Sequence, residues 1–444
     1  MFTTRLTSHT RLTGRGPVFL AVLAALATGA LTLDNTTMLQ STPEGRAPSI
    51  RDSARPKIVA AFPRDSYGPG ERAALRILSA AQDVHLQVFR VGPEKNPTRA
   101  KDVMSGVPVS AERSLGAVTP KRVANVRIGN WPSGVYFVRL RGERDKLGFA
   151  PFVVRPRRLG EHRVAIVMPT QTWQAYNHRD DDADGDSDTW YASGSLARLG
   201  RAHLQRGVPF RFRNYDAPFL RWAARTGHQA DYLTDDELDR TTGRQLAAAY
   251  SLMIFPGHHE YVTEREYNAV TGFRNRGGNL MFLSANNFYW KIEKRGRLMR
   301  RVVKWRDIGR PEAAFIGTQY FYNDNGERRG RWVLRTEIPW LFAGTGLRKG
   351  SKFSSGGIEA DRVYPSSPRS VRVVAEIPNI FPGRGSAQMT YYERGGAKVF
   401  AAGAFTMAGA IGEKPIRQMV ANLWQRLAND TDTGARRLPG RDDD

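Results

Sequence analysis

Two hydrophobic patterns follow one another along the chain. Between residues 57 and 156, apolar and polar residues alternate with period two in short segments such as "VHLQVFR" (Val84–Arg90) and "GVYFVRL" (Gly134–Leu140). The turn sequences "YGPGE" and "WPSG" separate these segments, and no helical period intervenes. This part of the chain is therefore predicted to form a small antiparallel β-sandwich of the immunoglobulin type.

Residues 160–430 show the second pattern. Continuous apolar runs, "RVAIVMP" (163–169), "SLMIFPG" (251–257) and "NLMFLS" (279–284), are typical of strands that are buried on both faces of a parallel sheet. Amphipathic helical segments such as "TEREYNAVTGFRNRGG" (263–278) lie between them. This alternation predicts a doubly wound α/β domain.

The amino-terminal residues are typical of an export signal. Three arginines precede an apolar run that ends at Leu33, with small residues at the usual place for cleavage. An uncleaved membrane anchor is the alternative, because 17 apolar residues (Pro17–Leu33) are at the short limit for a membrane span. Residues 34–56 are predicted to be a linker and residues 431–444 a flexible tail. The protein is thus predicted to be exported and extracellular or associated with the cell envelope.

Composition excludes some classes of chemistry. The chain has no cysteine, which rules out disulfides, thiolate metal sites and a cysteine nucleophile. Its formal net charge is +24, from 67 basic and 43 acidic residues, but no nucleic-acid-binding module is recognisable. Attraction to anionic cell-envelope polymers and a merely arginine-rich surface both remain open, and so does the oligomeric state.

Candidate chemistry follows the buried strands, because ligands bind beyond the carboxyl ends of parallel strands. Tyr176 follows the first run, and "GHHEY" follows the second. Gly257 is expected to turn the chain sharply and to expose His258 and Glu260 at the rim of the sheet. A histidine and a carboxylate at this spacing suit a base and a metal ligand. Alternatively, His258 caps a helix and Glu260 pairs with an arginine.

An acidic segment lies between Tyr176 and Tyr191. Its "DDDADGDSD" pattern places aspartates at alternate positions around a glycine, as in calcium-binding loops. Position twelve is a tyrosine and not a glutamate, so the segment is not a complete EF-hand. A Ca²⁺ loop and a solvated acidic insert both remain open. The candidate calcium ligands are Asp180, Asp182, Asp184, Asp186 and Asp188.

Several segments together carry a resemblance to a known family. "TWQAYN", "PFLRWAARTGHQADYLTDDEL", "FPGHHEY" and "GGNLMFLSANNFYW" occur in this order and resemble the large subunit of N,N-dimethylformamidase. The resemblance extends from Val164 to Phe405. It implies a class I glutamine-amidotransferase-like α/β fold without the usual cysteine nucleophile. It also implies a mononuclear iron bound by two tyrosines and a glutamate, with a histidine and a second glutamate for proton transfer.

These roles can be carried over to single positions of this chain. The resemblance implies that Tyr176, Tyr191 and Glu260 bind the iron, that His258 and Glu393 transfer protons, and that Asn286 positions the site. Three departures are visible: His259 stands where the family usually has proline, the aspartates alter the spacing of the tyrosines, and there is no sign of a small partner subunit.

Two hypotheses follow. The first is an exported, iron-dependent hydrolase of carbon–nitrogen amide bonds, in which Fe³⁺ polarises the carbonyl of a small amide substrate and supplies hydroxide. The second is a non-catalytic cell-envelope-binding protein with a degenerate amidase-like domain and a Ca²⁺-stabilised loop.

Overall fold

A computed structural model describes residues 52–192, 195–324 and 328–429. The predicted signal (residues 1–33) and tail (residues 431–444) lie outside these ranges, as does most of the predicted linker, so export stays a prediction. All described residues belong to one compact unit. No helix in the described part of the chain has both the length and the apolar character that a bilayer span requires.

Residues 57–154 form two sheets that face each other. One contains β1, β3 and β7, and the other has the order β2-β9-β8-β4-β5 with β6 paired to β4. Alternate apolar residues of both sheets, such as Leu75 and Val138, enter one shared core, as period-two segments require. The strands are β1 (Ala60–Ala61), β2 (Ser66–Tyr67), β3 (Arg72–Ile77), β4 (Ala81–Arg90), β5 (Val107–Pro108), β6 (Arg113–Val118), β7 (Val123–Arg127), β8 (Gly134–Arg141) and β9 (Leu147–Val154).

The rest of the described chain contains fifteen strands, one 3₁₀ turn and ten helices. The strands are β10 (Val164–Met168), β11 (Leu196–Arg198), β12 (Asp231–Thr234), β13 (Leu252–Phe255), β14 (Tyr261–Val262), β15 (Asn279–Phe282), β16 (Trp290–Arg295), β17 (Leu298–Lys304), β18 (Gln319–Asn323), β19 (Arg329–Leu334), β20 (Lys352–Arg362), β21 (Arg372–Phe381), β22 (Gly385–Arg394), β23 (Ala397–Ala401) and β24 (Ala404–Phe405). The helices are α1 (Thr170–Ala175), α2 (Leu204–Gly207), α3 (Phe212–Tyr215), α4 (Ala217–Arg225), α5 (Asp235–Asp239), α6 (Gly243–Ala249), α7 (Glu264–Asn275), α8 (Ala313–Ile316), α9 (Pro339–Phe342) and α10 (Lys414–Ala428), and the 3₁₀ turn is Trp305–Ile308.

One large sheet organises this region. Its order is β12-β10-β13-β15-β23-β22-β21-β19-β20-β18, with β24 paired to β20. The first five strands run parallel. Successive residues of β10 enter different cores, since Ile166 lies in one cluster and Val167 in the other. Both faces of the parallel strands are therefore buried, which explains why their sequences are continuously apolar.

The predicted fold class is wrong. Strands hold 36% of the described residues and helices only 20%, and the strands belong to several large mixed sheets and not to a doubly wound glutamine-amidotransferase-like domain. Beyond β23, the large sheet continues through antiparallel strands that need no covering crossover helices. In the amino-terminal part, β2 runs parallel to β9, so its sheet is mixed, whereas the alternation predicted antiparallel strands throughout.

A small sheet lies beside the carboxyl ends of the parallel strands. Its order is β11-β17-β16-β14, and β14 begins directly after Glu260. The core between this sheet and its surroundings contains Trp190 and Tyr261, and both Tyr176 and Tyr191 pack against it. The candidate site is thus built where the parallel strands of the large sheet end and this small sheet begins.

Candidate active site

Tyr176 is held at the end of a short buried helix. α1 follows β10 after one residue, all six of its side chains are buried, and Tyr176 is its C-cap residue. The hydroxyl of Thr172, inside α1, accepts a hydrogen bond of 3.2 Å from the backbone N–H of Glu260. This bond fixes the loop after β13 against α1. As a result, the Tyr176 hydroxyl donates a 2.7 Å hydrogen bond to Oε2 of Glu260.

His258 and Glu260 are buried, with relative exposures of only 6% and 3%. The sequence interpretation expected both at an exposed rim. The ring of His258 is instead covered by those of Phe405, with centroids 4.7 Å apart, and Tyr176, at 5.8 Å. Nε2 of His258 lies 3.0 Å from Oε2 of Glu260. The histidine therefore contacts the carboxylate oxygen that also accepts from Tyr176.

Gly257 is needed because its surroundings leave no room for a side chain, and not because the backbone turns sharply there. A Cβ atom at this position would lie 2.2 Å from Oδ1 of Asp216, whose side chain is buried beneath the loop. Real Cβ atoms do not approach an oxygen so closely. Glycine is therefore needed because the backbone before His258 passes directly over Asp216.

The structure also brings Tyr191 to the site. The rings of Tyr176 and Tyr191 stack with centroids 4.7 Å apart and an interplanar angle of 24°. The Tyr191 hydroxyl lies 3.5 Å from Oε2 of Glu260 and shares a hydrogen bond with the hydroxyl of Tyr261. Tyr261 was not predicted, although it is the last residue of "GHHEY". Its position directly after Glu260 could have indicated that it lies at the site.

Glu359 is the most important residue that the sequence interpretation missed. It lies on β20, and its Oε2 is 3.8 Å from Nε2 of His258. The side-chain amide of Asn286 donates a 2.8 Å hydrogen bond to the same oxygen of Glu359, and the backbone N–H of Asn286 donates to Asp361 at 2.9 Å. Asn286 therefore positions Glu359. The two carboxylates of β20 lie two residues apart, which places them on one face of the strand, and this spacing was the available signal.

Glu393 is placed elsewhere. It is exposed, accepts a hydrogen bond from Tyr391, and pairs in register with Lys398 at the start of β23. The N–H of Lys398 in turn donates to Asn279, the first residue of β15. Glu393 thus lies at the amino ends of the parallel strands, the opposite edge from the site. The structure therefore does not bring Glu393 to the site, and the second glutamate beside His258 is Glu359.

Burial and like charge govern the protonation of the cluster. Burial and then the nearby Glu260 raise the pKa of Tyr176 well above its ordinary value. Burial, together with Glu260, raises the pKa of Glu359 to about 7, against the opposing effect of His258. Burial favours neutral His258, but the charges of Glu359 and Glu260 outweigh it and raise its pKa. The cluster therefore has an excess of negative groups, which a bound cation would neutralise.

The oxygen donors at Glu260 fit a hard metal ion. Two phenol hydroxyls, Tyr176 and Tyr191, lie within 3.5 Å of one carboxylate oxygen, and each comes from a different segment of the chain. Oxygen ligands of this kind suit a hard, highly charged cation, and thiolate ligands are excluded because the chain has no cysteine. The residues present therefore fit the tyrosine–tyrosine–glutamate ligand set that the sequence resemblance implies.

The aspartate segment gathers three of the five predicted carboxylates. One oxygen of each of Asp180, Asp182 and Asp188 lies within 4.8 Å of the other two, whereas Asp184 and Asp186 are outside this group. Both oxygens of Asp180 also accept backbone N–H bonds from within the loop. Directly after the loop, the Thr189 hydroxyl donates to the last carbonyl of α1. The loop thus connects to the segment that carries Tyr191.

Comparisons with known proteins point to one family. A family model described as "N,N-dimethylformamidase beta subunit-like, C-terminal" matches residues 113–418. The N,N-dimethylformamidase beta subunit of an Alcaligenes species is 26% identical over 155 residues, which cover 35% of this chain and 19% of that protein. The subunit of Paracoccus aminophilus matches with the same identity and coverage. The matched part therefore spans about a fifth of these curated relatives.

Solved structures resemble the chain only distantly. A ThuA-like protein from Bacteroides uniformis has a TM-score of 0.33 and 12% identity, covering 47% of this chain and 84% of its own. A ThuA-like protein from Parabacteroides merdae has a TM-score of 0.31 and 11% identity, covering 49% and 85%. TM-scores this low do not establish a shared fold.

Proposed function

The chain belongs to the N,N-dimethylformamidase beta subunit-like family, and from this premise we propose that it is an iron-dependent hydrolase of carbon–nitrogen amide bonds. The observation that carries the proposal is the convergence of Tyr176 and Tyr191 on Oε2 of Glu260, with His258 3.0 Å from the same oxygen. Because the match covers only a fifth of the curated relatives, the activity and substrate are both part of the proposal.

Tyr176, Tyr191 and Glu260 are the residues that would hold the iron. When bound, Fe³⁺ supplies Lewis acidity that polarises a carbonyl oxygen and lowers the pKa of bound water. The stacking of Tyr176 on Tyr191 and the anchoring of the Glu260 backbone to Thr172 hold the three donors in place. Glu260 is buried, and the two tyrosines are partly buried against a cluster that includes Trp190 and Tyr261.

Glu359 and His258 divide the proton transfers. A pKa of about 7 leaves Glu359 partly ionised at neutral pH, so its carboxylate can accept the proton of the attacking water. His258, whose pKa is raised, holds a proton that it can donate to the departing amine nitrogen. Asn286 keeps the carboxylate of Glu359 oriented towards His258.

Metal analysis and an amide panel test this proposal. The full chain, purified and titrated with iron, is expected to bind one Fe per chain, to show a visible phenolate-to-iron absorption band and to release amine from N,N-dimethylformamide or another small amide. A colourless protein that binds no iron and cleaves no amide of the panel would contradict the proposal.

A further inference from the structure

A cavity of about 410 Å³ adjoins the site on one side of Tyr176. This volume lies in the range of roughly 300–1,000 Å³ that small-molecule sites span. Tyr176 lines the cavity, and its ring also stacks on Phe210, with centroids 5.3 Å apart and an angle of 21°. Tyr176 is therefore shared by the cavity and by the cluster at Glu260, so a ligand in the cavity would contact a residue of that cluster.

The charge of the cavity wall has one sign. Lys101, Arg211 and Arg213 line it, and the described residues around it include no aspartate or glutamate. None of these three cations has an ion-pair partner within the described ranges, although Arg213 donates to the carbonyl of Arg99. The guanidinium of Arg211 lies over the ring of Phe210, 5.4 Å from its centroid. The wall thus presents unneutralised positive charge beside an apolar surface.

His203 adds a buried hydrogen-bond donor. It lines the cavity, is 9% exposed, and its Nδ1 has no hydrogen-bond partner in the described part of the chain. The side-chain oxygen of Gln174 accepts from Asn177, which orients the Gln174 amide N–H₂ towards Nε2 of His203 at 3.5 Å. Burial, followed by the charge of Arg201, lowers the pKa of His203 to about 3, so the ring is neutral. Its single proton therefore lies on Nδ1, which can donate to a ligand.

We propose that this cavity is a substrate subsite that selects amides carrying a carboxylate group several atoms away from the scissile bond. The apolar wall around Phe210 packs against the hydrocarbon part of such a molecule, Arg211 and Lys101 attract its carboxylate, and His203 donates to one of its oxygens. Cations in a cavity wall that contains no carboxylate favour an anionic ligand over a neutral one of equal shape. The hydrolysis of such amides rests on the proposed function, whereas the preference for an anionic ligand rests on the cavity alone.

Binding of non-hydrolysable probes tests the ligand preference. Isothermal titration of the full chain compares phenylacetate with 2-phenylethanol, which is similar in shape but neutral. Phenylacetate is expected to bind at least about 10-fold more tightly, and the preference is expected to shrink in high salt. Lys101→Gln and Arg211→Gln are each expected to reduce it, whereas Arg127→Gln, an exposed charge on β7, should not. Equal dissociation constants for the two probes would overturn the proposal.

Hydrolysis separates this inference from the proposed function. 5-(Formylamino)pentanoate and N-pentylformamide have the same chain length and differ in the carboxylate. The iron-loaded chain is expected to favour the first by at least about 10-fold in kcat/KM, with Arg211→Gln reducing the ratio. Equal hydrolysis of both would overturn the subsite and leave the hydrolase standing. No hydrolysis of either or of any amide in the panel, with phenylacetate still preferred in binding, would overturn the hydrolase and support an anion-selective cavity.

Discussion

The hydroxyl of Tyr176 lies 2.7 Å from Oε2 of Glu260, although 84 positions separate the two residues in the chain. When a phenol is buried beside a carboxylate and no cation is present, burial and the negative charge both disfavour the phenolate. The pKa of Tyr176 is raised in this way. The proposed ferric iron would reverse this relationship, because it would stabilise the phenolate and the carboxylate at once. Under this proposal, the contact would link the protonation of Tyr176 directly to metal binding.

Tyr176→Phe is expected to abolish the phenolate-to-iron absorption band or to shift it strongly, and to lower iron occupancy. The substitution removes one donor oxygen and keeps the ring that stacks on Tyr191 and Phe210. Visible absorption and metal content per chain measure the effect. Tyr67→Phe, a buried tyrosine of the β-sandwich core, is the matched control and should keep the band. An unchanged spectrum in Tyr176→Phe would remove Tyr176 from the ligand set.

Glu359→Gln and Glu393→Gln distinguish the structural assignment from the sequence-based one. Glu359→Gln should lower kcat roughly 10²–10⁴-fold, because it removes the proposed proton acceptor while Asn286 keeps a partner. Glu393→Gln should leave kcat unchanged, since its side chain lies at the opposite edge of the sheet. Iron content should be normal in both proteins. A loss of kcat in Glu393→Gln but not in Glu359→Gln would support the sequence-based assignment of Glu393 to proton transfer.

Gly257→Ala is expected to lower the free energy of unfolding by about 1–3 kcal/mol and to reduce iron binding. The new Cβ would meet Oδ1 of Asp216 at 2.2 Å, so the loop that carries His258 and Glu260 must move. Urea denaturation and iron titration measure both effects. Gly412→Ala is a suitable control, because a Cβ there has no neighbour within 4 Å. Equal stability of both variants would show that the loop has room to adjust.

Asp216 is expected to make stability fall as pH rises. Burial raises the pKa of Asp216 to about 8, against a hydrogen bond from Trp173 that lowers it. The folded chain thus keeps a proton that the unfolded chain releases near pH 4. The stabilisation that comes from this retained proton is fully present below pH 4. It is lost between pH 4 and 8, and the free energy of unfolding falls by up to about 1.4 kcal/mol per pH unit.

Asp216→Asn should remove this slope, so the variant gains stability relative to the native chain between pH 5 and pH 8. Urea midpoints at the two pH values measure the difference. Asp307→Asn, at an exposed position, provides the comparison. If stability falls with pH as steeply in Asp216→Asn as in the native chain, groups other than Asp216 cause the fall.

Calcium at millimolar concentration is expected to raise the Tm of the full chain through the aspartate loop. Asp188→Asn should abolish the increase, because Asp188 belongs to the group of carboxylates within 4.8 Å of one another. Asp184→Asn should retain it, since Asp184 lies outside that group and instead accepts from the N–H of Asp186. Thermal unfolding with EDTA and with Ca²⁺ measures both. An identical Tm under the two conditions would identify the loop as a solvated insert.

The sequence by itself determined what depends on short stretches of chain. The apolar runs of β10, β13 and β15 predicted buried parallel strands, because a strand covered on both faces cannot alternate. It also predicted that the residues after those strands meet, and Tyr176, His258 and Glu260 do meet. Even Tyr191 was identified from the family pattern, although an acidic insert separates it from Tyr176.

Only the tertiary structure decided which edge of the sheet each later segment reaches. β22 runs antiparallel to β23, and this reversal carries Glu393 to the edge opposite the site. β20 pairs with β24, which lies just beyond the end of β23, and that pairing brings Glu359 to His258. Such pairings depend on contacts between residues far apart in the chain, which local periodicity does not encode. For the same reason the sequence pattern did not reveal that the large sheet is mixed.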